Sequence, residues 1–114
     1  MRGLLPLIAL ALMAQAPAPT ASEQDEIVVM ARKLDKLKIR FGGGLKNGVI
    51  AVKSCKVRQS SGDPEVDLIG CNAVNDCATQ AISKNSVFNK CVKARADLLA
   101  SELLDRRRKA RNSE

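Results

Sequence analysis

The four cysteines are the residues of this chain with the most specific chemistry. Cys55, Cys71, Cys77 and Cys91 follow the spacing C-x15-C-x5-C-x13-C. A structural zinc site uses close ligand pairs such as C-x2-C, often with histidine, and the chain has no histidine. A thioredoxin-like redox centre uses C-x-x-C, which is also absent. The spacing therefore favours two structural disulfides formed in an oxidising compartment, with no metal ligands and no cofactor.

Four cysteines allow three disulfide connectivities, and helix geometry disfavours one of them. Cys71 and Cys77 lie six positions apart on one predicted helix. Their Cα atoms should then be about 9 Å apart, beyond the roughly 7 Å limit for a bridge. This disfavours Cys71–Cys77 and, with it, Cys55–Cys91. Two pairings remain open, Cys55–Cys71 with Cys77–Cys91, and Cys55–Cys77 with Cys71–Cys91. The first is preferred, because the two members of each pair lie at similar distances from a predicted turn.

No other residues form a catalytic constellation. The chain lacks histidine, tyrosine and tryptophan, and it has no G-x-S-x-G motif. The acids Asp63 and Asp67 are explained by helix capping, and Ser60-Ser61-Gly62 is explained as a turn. The sequence therefore indicates a non-enzymatic protein without catalytic residues.

Basic residues dominate the charge, and the formal net charge is +7. A candidate anionic-binding surface comprises Lys36, Lys38, Arg40, Arg106, Arg107, Arg108, Lys109 and Arg111. Its functional interpretation is attraction to anionic lipid or polymer of a cell envelope. The structural alternative, favoured for the tail, is that these cations complement a helix dipole, with Lys109 paired to Asp105 one turn away. Nucleic acid is not expected, because the only aromatics that could stack on bases are Phe41 and Phe88.

The first 21 residues have the layout of a secretory signal peptide. Arg2 supplies a positive charge, residues 4–13 are apolar, and Ala14-Gln15-Ala16 has small residues at alternate positions. The apolar run is about half of the roughly 20 residues that a membrane span needs, so a membrane anchor is the weaker interpretation. The cleavage point stays open between Ala14, Ala21 and Ser22. The expected location is the periplasm or the exterior of the cell.

Periodicity predicts an α+β fold: a β-hairpin, with a third strand possible, packed on an antiparallel pair of helices and joined by two disulfides. Residues 36–41 alternate apolar and basic, residues 49–58 form the second strand, and Asn47-Gly48 suits the turn. A helix runs from Pro64 to about Ser83, with Asp63 as its N-cap. Gly70 lies on its apolar face and could admit a neighbouring element. A last helix runs from Val87 to about Lys109, capped by Ser86.

These elements divide the chain into four parts. They are the signal peptide at residues 1–21, an extended segment at 22–34, one disulfide-linked domain at 35–109 and a basic and polar tail at 110–114. Within the extended segment, β-branching favours a strand from Ile27 to Met30. That strand either pairs with the domain's own hairpin, which is the preferred interpretation, or binds another protein.

The residues Glu26-Ile27-Val28-Val29 resemble the TonB box of outer-membrane TonB-dependent receptors. In those receptors the segment is an extended peptide near the mature N-terminus that adds a strand to a periplasmic domain of TonB. The resemblance implies a TonB-like periplasmic partner bound by strand addition. The pattern differs at Met30, where threonine is common, and the chain is too short for a receptor barrel. As a whole the chain is similar to small exported proteins of alphaproteobacteria, which implies the periplasm.

Overall fold

The structure is a computed structural model that describes residues 21–113, with the side chains of residues 23–113. The predicted signal peptide therefore lies outside the described residues, apart from Ala21. The elements in chain order are α1 (Ala21–Lys36), β1 (Lys38–Lys46), β2 (Val49–Gln59), α2 (Pro64–Ala78) and α3 (Asn85–Asn112). The predicted α+β class is confirmed, with three helices in place of two.

The hairpin of β1 and β2 is antiparallel, as expected. Asn47 and Gly48 form its turn with φ angles of 56° and 77°, a left-handed conformation that Asn and Gly tolerate. β1 is longer than expected, because the glycine run stays paired with β2. A Cβ on Gly43 would lie 1.8 Å from the carbonyl oxygen of Ala51. Only glycine permits this close approach of the two strands.

The N-terminal segment is the main correction. The expectations that residues 22–34 are extended and that Ile27–Met30 is a strand are wrong, because these residues belong to helix α1 and the sheet has two strands. Met30 is 4% exposed and packs with Leu34 and Leu37 against α3. Apolar side chains at this spacing share one face of a helix. Burial of that face outweighs the strand preference of Ile27 and its valine neighbours.

The other two helices differ from expectation mainly at their ends. Asp63 caps α2 as predicted, since its carboxylate accepts hydrogen bonds from the backbone N–H groups of Glu65 and Val66. α2 stops at Ala78, five residues before the expected end at Ser83. The prediction that Ser86 caps the last helix is wrong, because α3 begins at Asn85. α3 continues to Asn112, so most of the expected tail is helical.

Two apolar clusters hold the elements together. The first joins α1, α2 and α3 and includes Met30, Val66, Ile69, Ala100 and Leu103. The second places the hairpin against α2 and α3 around Val74, Cys77 and Phe88. In this second cluster the ring centroids of Phe41 and Phe88 are 5.6 Å apart. The preferred disulfides are confirmed: Cys55–Cys71 links β2 to α2, and Cys77–Cys91 links α2 to α3.

At Gly70, α2 comes close to the start of β1, as the position of this glycine on the apolar face suggested. A Cβ there would lie 2.6 Å from Cγ2 of Ile39 and 3.2 Å from Cδ2 of Leu37. We expect Gly70→Ala to destabilise the protein by about 1 kcal/mol, because overpacking outweighs the gain in helix propensity. Urea unfolding followed by far-UV circular dichroism measures this. Gly44→Ala is the control, since a Cβ on Gly44 meets nothing within 4 Å. A Gly70→Ala protein as stable as the parent would contradict the packing.

Candidate functional site

The net charge of the chain is concentrated in the hairpin. Residues 36–59 contain seven basic side chains and no acidic one. The remainder of the sequence has twelve basic and twelve acidic residues and is therefore neutral overall. Six of the seven basic side chains lie on β1 and β2, and Lys36 is the last residue of α1, two positions before β1. We call these seven side chains the hairpin cations: Lys36, Lys38, Arg40, Lys46, Lys53, Lys56 and Arg58. All seven are exposed.

The strand register brings two of the hairpin cations together. Arg40 lies directly opposite Lys56, on the face of the hairpin away from the helices. The flanking residues Ile39 and Phe41 point to the other face and pack into the second apolar cluster. Like charges directly opposite each other on an antiparallel pair are destabilising. This pair therefore weakens the fold slightly, and an anionic ligand would reverse that effect.

Two irregularities in the ladder involve further hairpin cations. The register shifts between Gly42 and Gly43, where the partners change from Ser54 to Val52, so Lys53 has no opposite residue. A second shift at the other end of the hairpin leaves Arg58 without one. A β-bulge adds a residue to one strand and increases the local twist. In both places the added residue is a cation exposed to solvent.

None of the hairpin cations forms an ion pair with a carboxylate of the described residues. Across residues 23–113, no ion pair within 4.0 Å involves any of the seven, as the seven pairs found all lie among the helices and the Asp63 cap. The one hydrogen bond from a hairpin ammonium group runs from Lys38 Nζ to the backbone oxygen of Asp35, over 3.2 Å. The hairpin therefore presents positive charge that the described part of the protein does not neutralise.

The tail cations of the predicted anionic-binding surface differ from the hairpin cations, because most of them are paired with carboxylates. Arg107 pairs with Asp63 at 2.9 Å and with Glu65 at 3.2 Å. Arg108 and Arg111 both pair with Glu26 of α1. Most of the positive charge of the tail is therefore used to hold α3 against α1 and α2.

The two remaining tail cations are exposed. Lys109 pairs with Asp105 over 3.4 Å, the i, i+4 pair that the sequence predicted. Arg106 makes no ion pair with the described residues, and it borders a shallow pocket with Glu65 and Leu99. Neither lies on the hairpin, so the structure separates the predicted surface into a hairpin part and a tail part.

The Asp63 carboxylate is the electrostatic centre of the helical part. Its hydrogen bond from Arg107, together with one from Lys33 over 2.9 Å, holds the pKa of Asp63 far below its usual range, despite the opposing effect of burial. The same contact with Asp63 raises the pKa of Arg107. Asp63 also caps α2, so its role is to join the three helices, and it is not placed to act on a ligand.

The predicted docking residues Glu26, Ile27, Val28 and Val29 lie on α1. Glu26 is ion-paired to α3, while the three apolar side chains are between 46% and 51% exposed. Strand addition to a TonB-like partner needs an extended backbone, so α1 would have to unwind before these residues could bind in that mode. Docking by this segment stays a prediction.

Sequence reasoning missed four hairpin cations. Lys46, Lys53, Lys56 and Arg58 were not among the predicted site residues. The sequence did contain a signal for these four cations, because residues 36–59 include no acidic residue. The pairing of Arg40 with Lys56 could not be derived by alternation alone, because each bulge shifts the register by one residue.

Neither a metal cluster nor a membrane span occurs in the described chain. Between residues 23 and 113, no three carboxylate or thiol side chains are arranged to hold a metal ion. Within that same part, no helix combines the length and apolar character needed to cross a bilayer. Comparison of the chain with protein-family models, with curated protein sequences and with solved structures finds no match.

Proposed function

We propose that this is a non-enzymatic, exported protein that binds a polyanion of the cell envelope, lipid or polymer, through the hairpin cations. The supporting observation is that the whole net charge of the chain resides in residues 36–59. Cations without carboxylate partners attract phosphate, sulfate or carboxylate groups over about one Debye length, some 8–10 Å at physiological salt.

The surrounding fold is suited to hold such a surface in place. The Cys55–Cys71 disulfide fastens β2 to α2 next to Lys56, and Phe41 anchors β1 next to Arg40. A preorganised surface loses less entropy on binding than a flexible basic peptide. The two disulfides are typical of an oxidising compartment outside the cytoplasm. Within the proposal that compartment is the periplasm, reached through the predicted signal peptide.

The test removes three hairpin charges at once. We expect Lys38→Gln/Arg40→Gln/Lys56→Gln to weaken binding by about a hundredfold at low salt, since each charge near an anionic surface contributes about 1 kcal/mol. Binding is measured in parallel to fluorescein-labelled polyphosphate, by anisotropy, and to phosphatidylglycerol vesicles, by co-sedimentation. Parent binding should also weaken as salt rises, because exposed charges are screened.

A second triple variant tests whether binding depends on the location of the removed charges or only on the total charge. Arg32→Gln/Lys90→Gln/Lys93→Gln removes three exposed cations outside the hairpin that make no ion pair with other described residues. It should bind within about threefold of the parent, since none of these three charges belongs to the hairpin cations. Equal losses in the two triple variants would show that only net charge matters. Absence of parental binding to both probes would rule out the proposed function.

A further inference from the structure

The tip of the hairpin carries an apolar side chain that belongs to neither of the two apolar clusters. Leu45 is 67% exposed, more than any other large hydrophobic residue in residues 23–113. It lies between Gly44 and Lys46, next to the turn. Every residue from 42 to 48 is exposed, and the hairpin is tied to the rest of the protein two residues after the turn, where the Ile50 N–H donates to the carbonyl oxygen of Ile82 over 2.8 Å.

The strand register fixes the face of the hairpin on which Leu45 lies. It is paired with Ile50, and residues directly opposite on a hairpin share a face. Ile50 packs into the second apolar cluster on that face. Leu45 is level with Ile50 beside the turn but is not part of that cluster. Its exposed side chain is therefore available for binding.

We infer that the polyanion is an anionic phospholipid bilayer, and that the hairpin tip binds it with Leu45 inserted at the headgroup–acyl boundary. This rests on the proposed function of the hairpin cations. A bilayer surface offers both phosphate groups for the cations and an apolar layer for one leucine. A soluble polyanion offers only the charge. Lys46 next to Leu45, with Lys53 farther along β2, would lie at the level of the headgroups.

Exposure alone does not identify Leu45 as the membrane-inserting residue, because another leucine is almost as exposed. Leu68 on α2 is 63% exposed, almost as much, but it borders a shallow pocket shared with Glu65, Leu99 and Arg106 and is outside the hairpin. The combination that fits a bilayer is an exposed apolar side chain beside the hairpin turn, within a segment free of acidic residues. Leu68 is therefore a matched control for Leu45.

Insertion can be observed directly, because the chain has no tryptophan. In the disulfide-bonded protein, Leu45→Trp provides one indole at the tip, and Leu68→Trp provides one on α2. With phosphatidylglycerol vesicles we expect the emission of Leu45→Trp to move to shorter wavelength and to become protected from acrylamide. The emission of Leu68→Trp should not change. Leu45→Ala should bind these vesicles about five- to tenfold more weakly while binding polyphosphate like the parent.

The outcomes distinguish this inference from the proposed function. Vesicle binding that depends on the hairpin cations, without a spectral change in Leu45→Trp, would overturn insertion and leave polyanion binding standing. Binding to polyphosphate but not to vesicles would identify a polymer as the ligand and also overturn the inference. A Leu68→Trp shift equal to that of Leu45→Trp would show a different mode of attachment. No binding to either probe overturns both proposals.

Discussion

Replacing Cys77 and Cys91 together with alanine should lower the free energy of unfolding by about 4 kcal/mol. The bridge closes a loop with a sequence separation of 14 residues, and the chain-entropy model assigns about 3 kcal/mol to a loop of this size. The Cys77 side chain is 0% exposed, within the second apolar cluster. Removing its sulfur leaves a small cavity that costs about 1 kcal/mol more. A single small core supplies about 3–5 kcal/mol, so this loss approaches the whole stability.

The Cys55–Cys71 bridge supplies the matched control. Its sequence separation is 16 residues, so the loop contribution is nearly equal, but both of its cysteines are only half-buried. Cys55→Ala/Cys71→Ala should therefore cost about 3 kcal/mol. Each double variant retains one possible bridge, so disulfide exchange cannot confuse the result. Urea unfolding is followed by far-UV circular dichroism, because the chain has no tryptophan or tyrosine. A smaller loss for the Cys77 variant would contradict the assigned burial.

The disulfides and the hairpin were predictable because local signals agreed with the final structure. The alternation within residues 36–41, the Asn47-Gly48 turn and the Asp63 cap each predicted one element, although the first strand begins at Lys38 and Lys36 belongs to α1. Once a helix had been assigned to the region of Cys71 and Cys77, its geometry disfavoured a bridge between them. The preference between the two remaining disulfide pairings followed from the distances of the cysteines from the turns, measured along the strand and the helices.

Helix α1 was missed because a local preference competed with tertiary packing. The run Ile27-Val28-Val29 favours a strand, and nothing in that run shows which side faces the core. The information lay in wider spacing: Glu26, Met30 and Lys33 lie on one helical face and reach partners on α3 and at the start of α2. Those partners are more than 25 residues away in sequence, beyond the reach of a local pattern.

For a similar reason, the sequence predicted only three of the seven hairpin cations. Lys36, Lys38 and Arg40 were identified because they alternate with apolar residues, whereas Lys46, which follows the glycine run of β1, was not. The cations of β2 follow no such alternation, since Lys53 and Arg58 occupy bulges. The tail cations could be assigned correctly only after their carboxylate partners were known, because Glu26 and Asp63 come from distant parts of the chain.

Replacing Asp63 should be the most disruptive single change among the charged residues. The Asp63 side chain is 10% exposed and receives Lys33 from α1 and Arg107 from α3. Asp63→Ala removes the α2 cap, which costs about 1 kcal/mol, and leaves the two cations without their carboxylate. Because Lys33 and Arg107 remain 31% exposed and can turn toward water, we expect a total loss of about 3 kcal/mol, at the low end for a buried pair. Asp63→Asn retains a capping oxygen and should lose about 2 kcal/mol.

Acid should reproduce part of this loss in the parent protein. The hydrogen bond from Arg107 lowers the folded-state pKa of Asp63 far below the value of about 3.8 in an unfolded chain. The unfolded state therefore takes up a proton first as the pH falls. The stability from Asp63 is complete above about pH 4 and decreases below it. The hydrogen bonds from Ser60 and Ser61 also lower the pKa of Asp67, so some acid sensitivity should persist in Asp63 variants.

The measurement compares the free energy of unfolding in urea at pH 7, 4 and 3, with values chosen around the unfolded-state pKa of aspartate, about 3.9. Asp63→Asn should be less stable than the parent at pH 7, and the difference should shrink at pH 3, because the unfolded parent then binds a proton at Asp63 that the folded parent does not. Asp97→Asn is the control: it removes one exposed carboxylate that makes no ion pair with the described residues, and it should follow the parent at every pH. A gap between Asp63→Asn and the parent that stays constant from pH 7 to pH 3 would show that the Asp63 charge does not join the three helices.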